Sequence, residues 1–352
     1  MTVFSLAFLL VYVITPLVIR FACKTGFLDN PNARKVHKKS TPLLGGVAVF
    51  SGFFILTIYI IFTKLHNFNL PIAGYLLGAL LIVVVGIIDD KMGMHPLLKL
   101  TGQFISCLIF IFTNDLLAIL GPVYITIPIL VLWMVGLMNA LNFLDNMDGI
   151  ITGMSGILAL GFYAFSFISK NYLMPGEAEF VSLLSLIFAG AVFGFLPYNF
   201  NPAKIFLGDA GSMFIGYFLS TMGILTGKLA VISKQSDLYY LLPVLLLSYA
   251  IFDISLVSVT RKRDGRRLSQ GGQDHSTHRI GTAIGSAKIT AMIVYLINII
   301  IVLVTIIVFM MGSDKLLILA TIFFAVLFLL FGKKLDQIPI AIPQNQIKQQ
   351  QE

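Results

Sequence analysis

Five aspartates stand at the edges of apolar sequence, where a carboxylate can do chemistry. Asp89 and Asp90 close one apolar run in GIIDDKMG, Asp145 and Asp148 follow another in MNALNFLDNMDGI, and Asp209 opens a third in NPAKIFLGDAGS. Asn139, Asn142 and Asn146 are interleaved with the second pair. Acids gathered on one face repel each other and demand a cation, and their hard oxygens suit Mg2+ or Mn2+. DNMDG is a fragment of a calcium loop, but residues 149–160 carry no acid to close one.

Cations stand opposite. Residues 23–41 hold Lys24, Arg34, Lys35, Lys38 and Lys39 against Asp29 alone, and residues 260–288 hold Arg261, Lys262, Arg263, Arg266, Arg267, Arg279 and Lys288. The second segment is Gly-rich and carries His275 and His278, three apart, with no further zinc ligand beside them. Acids for a divalent ion with Arg, Lys and His donors nearby are what phosphoryl chemistry requires: the metal neutralises a diphosphate and the cations hold its oxygens.

The elements that must position these groups are membrane spans. The chain is 58% hydrophobic and 11% charged, with a mean hydropathy of +0.94, far outside the range of soluble domains. Eleven apolar runs of about span length lie near 3–21, 43–62, 71–88, 97–113, 116–138, 150–168, 180–197, 208–226, 239–259, 288–311 and 315–331. The expected fold is therefore an all-α, polytopic integral membrane protein of about eleven helices. The reading is one transmembrane catalytic domain over 1–331, with site loops near 23–41, 89–96, 139–149, 198–209 and 260–287, then a flexible tail over 332–352. Asn114 and Asp115 are read as a short turn between the fourth and fifth spans.

Arg20 follows the first run and no basic residue precedes it, which puts the N-terminus outside and the C-terminus in the cytoplasm. Only Lys64, Lys170, Lys228, Lys234 and Lys315 of the 24 Lys and Arg then fall on outer loops, leaving nineteen on the cytoplasmic side with all five aspartates. The net charge of +8 follows from this asymmetry and calls for no nucleic acid. The first run lacks a positive n-region and a cleavage site, so it reads as a retained span. Cys23 and Cys107 give no disulfide framework or metal spacing. Ionisable residues crowd one interface instead of lining a midplane path, which argues against a transporter or flippase.

The motif order, RKVHKKSTPLLGG, GIIDDKMGMHPLLKL, NALNFLDNMDGI, KIFLGDAGS and the basic His loop, resembles the polyprenyl-phosphate N-acetylhexosamine-1-phosphate transferases of the WecA/TagO type. The likeness runs over nearly the whole chain. It implies a bacterial inner-membrane enzyme, with its site on the cytoplasmic face, that transfers a sugar-1-phosphate from a UDP-sugar to undecaprenyl phosphate, releases UMP and needs Mg2+. GlcNAc-1-phosphate, for a teichoic acid, O-antigen or similar glycan, is the expected group. The related phospho-MurNAc-pentapeptide translocases are the alternative. Related enzymes are often dimers, which makes a homodimer an expectation by analogy.

Carried over by position, the resemblance makes Asp209 a metal ligand and places Asn142 beside the metal and the diphosphate. Asp148 then reads the uracil and Phe206 stacks on it; a core role for Phe206 stays equally open from the residues alone. Lys99 approaches the phosphates, and Lys38 or Lys39 assists from its loop. Asp89 and Asp90 match a pair discussed as a base or as metal support, and His275, His278 and Arg279 fall in the loop contacting sugar and phosphate. Asp145, Asn139 and Asn146 complete the expected site. Many bacterial members read His-x-His-His-Arg where this chain has His275-Ser276-Thr277-His278-Arg279, so Thr277 replaces the middle histidine. A lipid groove is expected along the apolar walls of spans 3, 4, 5 and 9. Asp253 in the ninth span either faces that cavity or pairs with a basic neighbour.

Overall fold

Helix starts in this chain are punctuated by proline and small polar caps. Asn69 accepts from Ile72 N at 3.2 Å just before Pro71, and His95 Nδ1 accepts from Leu97 N at 3.3 Å just before Pro96. Ser286 and Ser313 cap later helices through Ile289 N and Leu316 N. Such positions supply an acceptor to N–H groups that have no partner within the helix. Between the caps the sequence is apolar on most sides, as a helix in lipid requires.

The computed structural model describes residues 2–29, 40–65, 69–117, 119–169, 175–268 and 272–340. Its helices are α1 (Thr2–Thr25), α2 (Gly45–Ile60, continuing as a π-turn over Ile61–Leu65), α3 (Leu70–Met92), α4 (Pro96–Thr113), α5 (Val123–Leu144), α6 (Ile150–Ser169), α7 (Pro175–Asn199), α8 (Gly208–Lys234), α9 (Leu242–Leu246), α10 (Ser248–Arg263), α11 (Ser276–Ile284), α12 (Ala287–Met311) and α13 (Asp314–Asp336). Strands β1 (Leu28–Asp29) and β2 (Thr41–Pro42) pair antiparallel. Among the described residues, ten helices are long and apolar enough to cross a membrane. A further segment, Asp237–Leu246, meets α10 at a 70° bend, and the two together are long and apolar enough to count as an eleventh span. This is an integral membrane protein of the expected all-α class.

Several boundaries differ from the hydropathy reading: α8 runs on to Lys234, past the expected 226, and α13 runs to Asp336 with Gly332 and Leu335 buried, so the first residues of the expected tail are helix. The turn expected at Asn114–Asp115 is a longer connection, and α5 begins only at Val123, after Gly121 at φ +106° and Pro122 at the N-cap. The loop expected over 139–149 starts at Asp145, because α5 runs on to Leu144 and carries Asn139 and Asn142 on its last turns.

α8 is the hub. It packs on α2, α3, α5, α6 and α7, and 83% of its most apolar stretch is buried, against 17% for α1 and 22% for α13. Phe53, Phe188, Phe214 and Phe218 fill the space around it, with the Phe188 and Phe218 rings stacked at 3.6 Å. Close approach at its first turn depends on glycine. A Cβ on Gly46 would collide with the Gly211 backbone, and one on Gly86 with the Ala210 backbone. The start of α8, with Asp209, thus sits directly on the backbones of α2 and α3.

Candidate active site

Asp209 lies in the first turn of α8, and three elements converge on it. From α4, Lys99 Nζ lies 3.0 Å from Asp209 Oδ2 and 2.8 Å from Asp89 Oδ2. From α5, Asn142 Nδ2 donates to Asp209 Oδ1 and to Ser212 Oγ at 2.8 Å. From α3, Asp90 accepts from the backbone N–H of Asp209 at 2.8 Å and of Ala210 at 3.2 Å. Asp90 therefore serves the start of α8 as a capping acid, where helix N–H groups and dipole favour a negative charge. Asp89 Oδ1 takes Met94 N at 2.7 Å and closes the turn after α3.

The chain holds this cluster through main-chain ties that link distant motifs. Phe206 N donates to Pro42 O at 2.8 Å, Gly45 N to Phe206 O at 3.0 Å, and Gly46 N to Leu207 O at 2.7 Å. STPLLGG and KIFLGDAGS are thereby one structure. The connection requires Leu44 at φ 75° while buried, a left-handed conformation that costs a side-chain-bearing residue about 1–3 kcal/mol. Phe206 joins this tie through its backbone, and the residue is half-buried.

Asp145 stands just past the end of α5, half-buried, with no hydrogen bond or ion pair to its carboxyl among the described residues. Burial, then the charges of Asp209, Asp90 and Asp148, push it up to about 8. Asp148 accepts from Asn201 Nδ2 at 2.9 Å and Ala203 N at 3.0 Å, and so fixes the segment before Phe206. Asn139 donates to Gln103 Oε1 at 2.8 Å, which ties α5 to α4 one turn behind Asn142. Asn146 Oδ1 accepts from Thr277 Oγ1 at 2.7 Å, so the residue in place of the family's middle histidine joins α11 to the segment after α5.

The His segment is tightly tethered. Of the two roles open to Asp253, it takes the paired one: its Oδ2 lies 2.7 Å from His275 Nδ1. Arg261 grips Asp274 through two bonds of 2.8 and 2.7 Å, and Arg266 adds a third at 2.8 Å. Burial works against the Asp274 charge, but Arg261 holds its carboxyl down at about 2. Arg279 is 2% exposed. It donates to Asp274 O at 3.0 Å and to Leu335 O at 3.0 Å, and pairs with Asp336 at 3.5 Å. Its guanidinium is thus engaged by the protein and braces α11 against the end of α13. The Nδ1 of His278 is buried without a partner among the described residues. Burial, then the neighbouring His275, push His278 down to about 4. Lys38 and Lys39 lie outside the described residues.

Sequence reasoning missed Gln103, Ser212, Asn201, Asp274, Ser276 and Asp336 as supports. Their only signal is a polar residue near a motif, and apart from Asp274, whose arginines lie 8 and 13 residues away, the partner is remote in sequence. The spans expected to wall a lipid groove are adjacent, α3 on α4, α4 on α5 and α5 on α10. An apolar cavity of about 430 Å3 lies elsewhere, between α1, α2 and α3, lined by Leu17, Val18, Phe21, Phe27, Leu44, Val47 and Ile87.

No three His, Cys, Asp or Glu side chains among the described residues converge as a ready metal cage. Mg2+ commonly takes one or two carboxylates and completes its shell with water and phosphate oxygens. Asp209, the Asn142 amide and the unpaired Asp145 carboxyl fit that sparse donor set.

Fold and site define a membrane-embedded protein with a lysine–carboxylate cluster at the end of its central helix. Residues 72–227 match the model of glycosyl transferase family 4. The chain is 32% identical to the probable undecaprenyl-phosphate N-acetylglucosaminyl 1-phosphate transferase of Bacillus subtilis, over 84% of this chain and 81% of that protein. It is 29% identical to the decaprenyl-phosphate N-acetylglucosaminephosphotransferase of Mycobacterium tuberculosis, over 82% of this chain and 78% of that one. A phospho-N-acetylmuramoyl-pentapeptide-transferase of Bacillus mycoides is 31% identical over 63% of this chain and 73% of its own length. The chain belongs to glycosyl transferase family 4.

Proposed function

We propose that this protein transfers GlcNAc-1-phosphate from UDP-GlcNAc to undecaprenyl phosphate, giving undecaprenyl-diphospho-GlcNAc and UMP as the first step of a cell-envelope glycan. The observation that carries the reading is the convergence of Lys99, Asn142 and Asp90 on Asp209. The names of the Bacillus subtilis and Mycobacterium tuberculosis relatives support the group transferred and the acceptor class. The pentapeptide-transferase alternative is less supported, since that relative matches a smaller share of this chain.

In the reaction, a phosphate oxygen of the lipid attacks the β-phosphorus of the UDP-sugar. The bond from that phosphorus to the bridging oxygen breaks, and UMP carries the electron pair away. A phosphate monoester has its second pKa near 6 and is largely dianionic at pH 7, so no side chain need remove a proton. Lys99 supplies a cation to the crowded phosphates. Asp90 acts as organiser of the α8 start, which keeps Asp209 in place. Asp209 and Asn142, with Asp145 beside them, would hold Mg2+, whose charge offsets that of the diphosphate. Only an interfacial site reaches both a bilayer-dissolved prenyl chain and a water-soluble nucleotide. The excess of Lys and Arg on the same side as the acids supports a cytoplasmic placement in the bacterial inner membrane. A panel of UDP-sugars, assayed for lipid-dependent UMP release by the purified protein, tests the donor.

A further inference from the structure

We propose that Asp253 is a positioning residue of this site: it holds a proton on His275 Nδ1 and pins the first turn of α11. Asp253 lies on α10 and is 1% exposed; its only ion-pair partner among the described residues is His275. A buried carboxylate is costly unless donors surround it, and three do. His275 Nδ1 lies 2.7 Å from Oδ2, while Ser276 N and Ser276 Oγ donate to Oδ1 at 2.7 and 2.6 Å. Ser276 has one hydroxyl proton and spends it on Asp253, so Tyr249 Oη, 3.0 Å away, is the donor in their contact. A carboxylate engaged in this way only accepts, which places a proton on His275 Nδ1 and leaves Nε2 to meet any other group.

The same turn is tied on its other side. Thr277 Oγ1 donates to Asn146 Oδ1 at 2.7 Å, and Asn146 adjoins Asp145. The His275 and His278 rings lie 6.0 Å apart. Asp253 thus sets the orientation of His275, and fixes the turn that carries His278, without touching the acid cluster. Carboxylates that orient metal-bound histidines commonly matter about 10–100-fold to affinity or activity, and a loss of that order is expected here.

The test uses the full-length protein in detergent. Proton–nitrogen NMR on 15N-histidine protein, which has five His, reads the proton position directly, with His275 assigned by His275→Gln. The expected result is a proton on His275 Nδ1 in the wild type that is lost in Asp253→Asn. The second reading is UMP release with Mg2+, UDP-GlcNAc and undecaprenyl phosphate, and this one rests on the proposed transferase. Asp253→Asn should lower kcat about 10–100-fold with KM for the lipid unchanged, Asp253→Glu should recover part of it, and Asp253→Asn should add less than about twofold in the His275→Gln background. A His275 proton on Nε2 alone, full activity in Asp253→Asn, or losses that multiply in the double variant would each overturn the proposal. Wild-type protein that releases no UMP from any donor contradicts the transferase instead, and the Nδ1 proton still decides the role of Asp253.

Discussion

Lys99 Nζ lies 3.0 Å from the Asp209 carboxylate across 110 residues of chain, and the same ammonium lies 2.8 Å from Asp89. One cation from α4 therefore balances acids from α3 and α8. Without it, two half-buried carboxylates face each other.

Lys99→Met should accordingly abolish turnover and destabilise the protein by about 1–3 kcal/mol. That is less than the 3–5 of a fully buried pair, because each group keeps some solvent. Mn2+ binding should persist or tighten, since a competing cation is gone. Electron paramagnetic titration of Mn2+ alongside a rate assay checks both halves.

Asp90 caps α8 through two backbone N–H groups. Asp90→Asn should lower kcat yet leave the pH–rate profile flat from about 7 to 9, because the acceptor phosphate is already ionised. A profile whose acid limb disappears in Asp90→Asn would make Asp90 a base. Asp90→Ala, which removes the cap, should cost a further ~1 kcal/mol of stability in thermal unfolding.

Asp145 retains its proton in the folded protein to about pH 8. The folded state therefore binds more protons than the unfolded one between about 4 and 8. Its contribution is complete below pH 4 and is lost as pH rises through 8. Metal-free protein should lose thermal stability across that window, and Asp145→Asn should flatten the loss. Cation binding should release a proton and tighten towards pH 8, which calorimetry in buffers of different ionisation enthalpy would register.

His278 carries the opposite sign. Held down at about 4, it stays neutral in the fold while the unfolded chain titrates near 6.5. Stability should fall as pH drops from about 6.5 to 4, and His278→Gln should remove that slope from unfolding curves.

Gly86 offers a test of how packing positions chemistry. Its Cα lies against the Ala210 backbone one helical turn before Asp90. Gly86→Ala should force α3 and α8 apart, cost about 1–3 kcal/mol by overpacking, and reduce activity far more than the outward-facing Gly136→Ala, whose Cβ meets nothing.

Hydropathy made the eleven spans legible, because burial in lipid imposes long apolar runs whatever their neighbours. It could not locate the break before α5: Leu116–Leu120 and Val123–Leu130 are both apolar, and the interruption is a backbone event at Gly121–Pro122. The 70° bend ahead of α10 is likewise hidden within a mostly apolar run. Asp89, Asp90, Asn142 and Asp209 were legible because polar groups at span ends are conspicuous. The structural engagement of Arg279 was not, since its partners, the carbonyls of Leu335 and Ile338, exist as acceptors only once α13 ends beside α11. Asp253 was legible as an anomaly in an apolar run, but its partner was fixed only by the return of the chain at His275.

The most direct test of the central claim is UMP release by the purified protein with UDP-GlcNAc, Mg2+ and undecaprenyl phosphate, compared with Asp209→Ala. Lipid-dependent UMP is expected from the wild type, lost with EDTA and reduced by more than about 100-fold in the variant. No UMP from any UDP-sugar, with Asp209→Ala binding nucleotide as the wild type does, would contradict it.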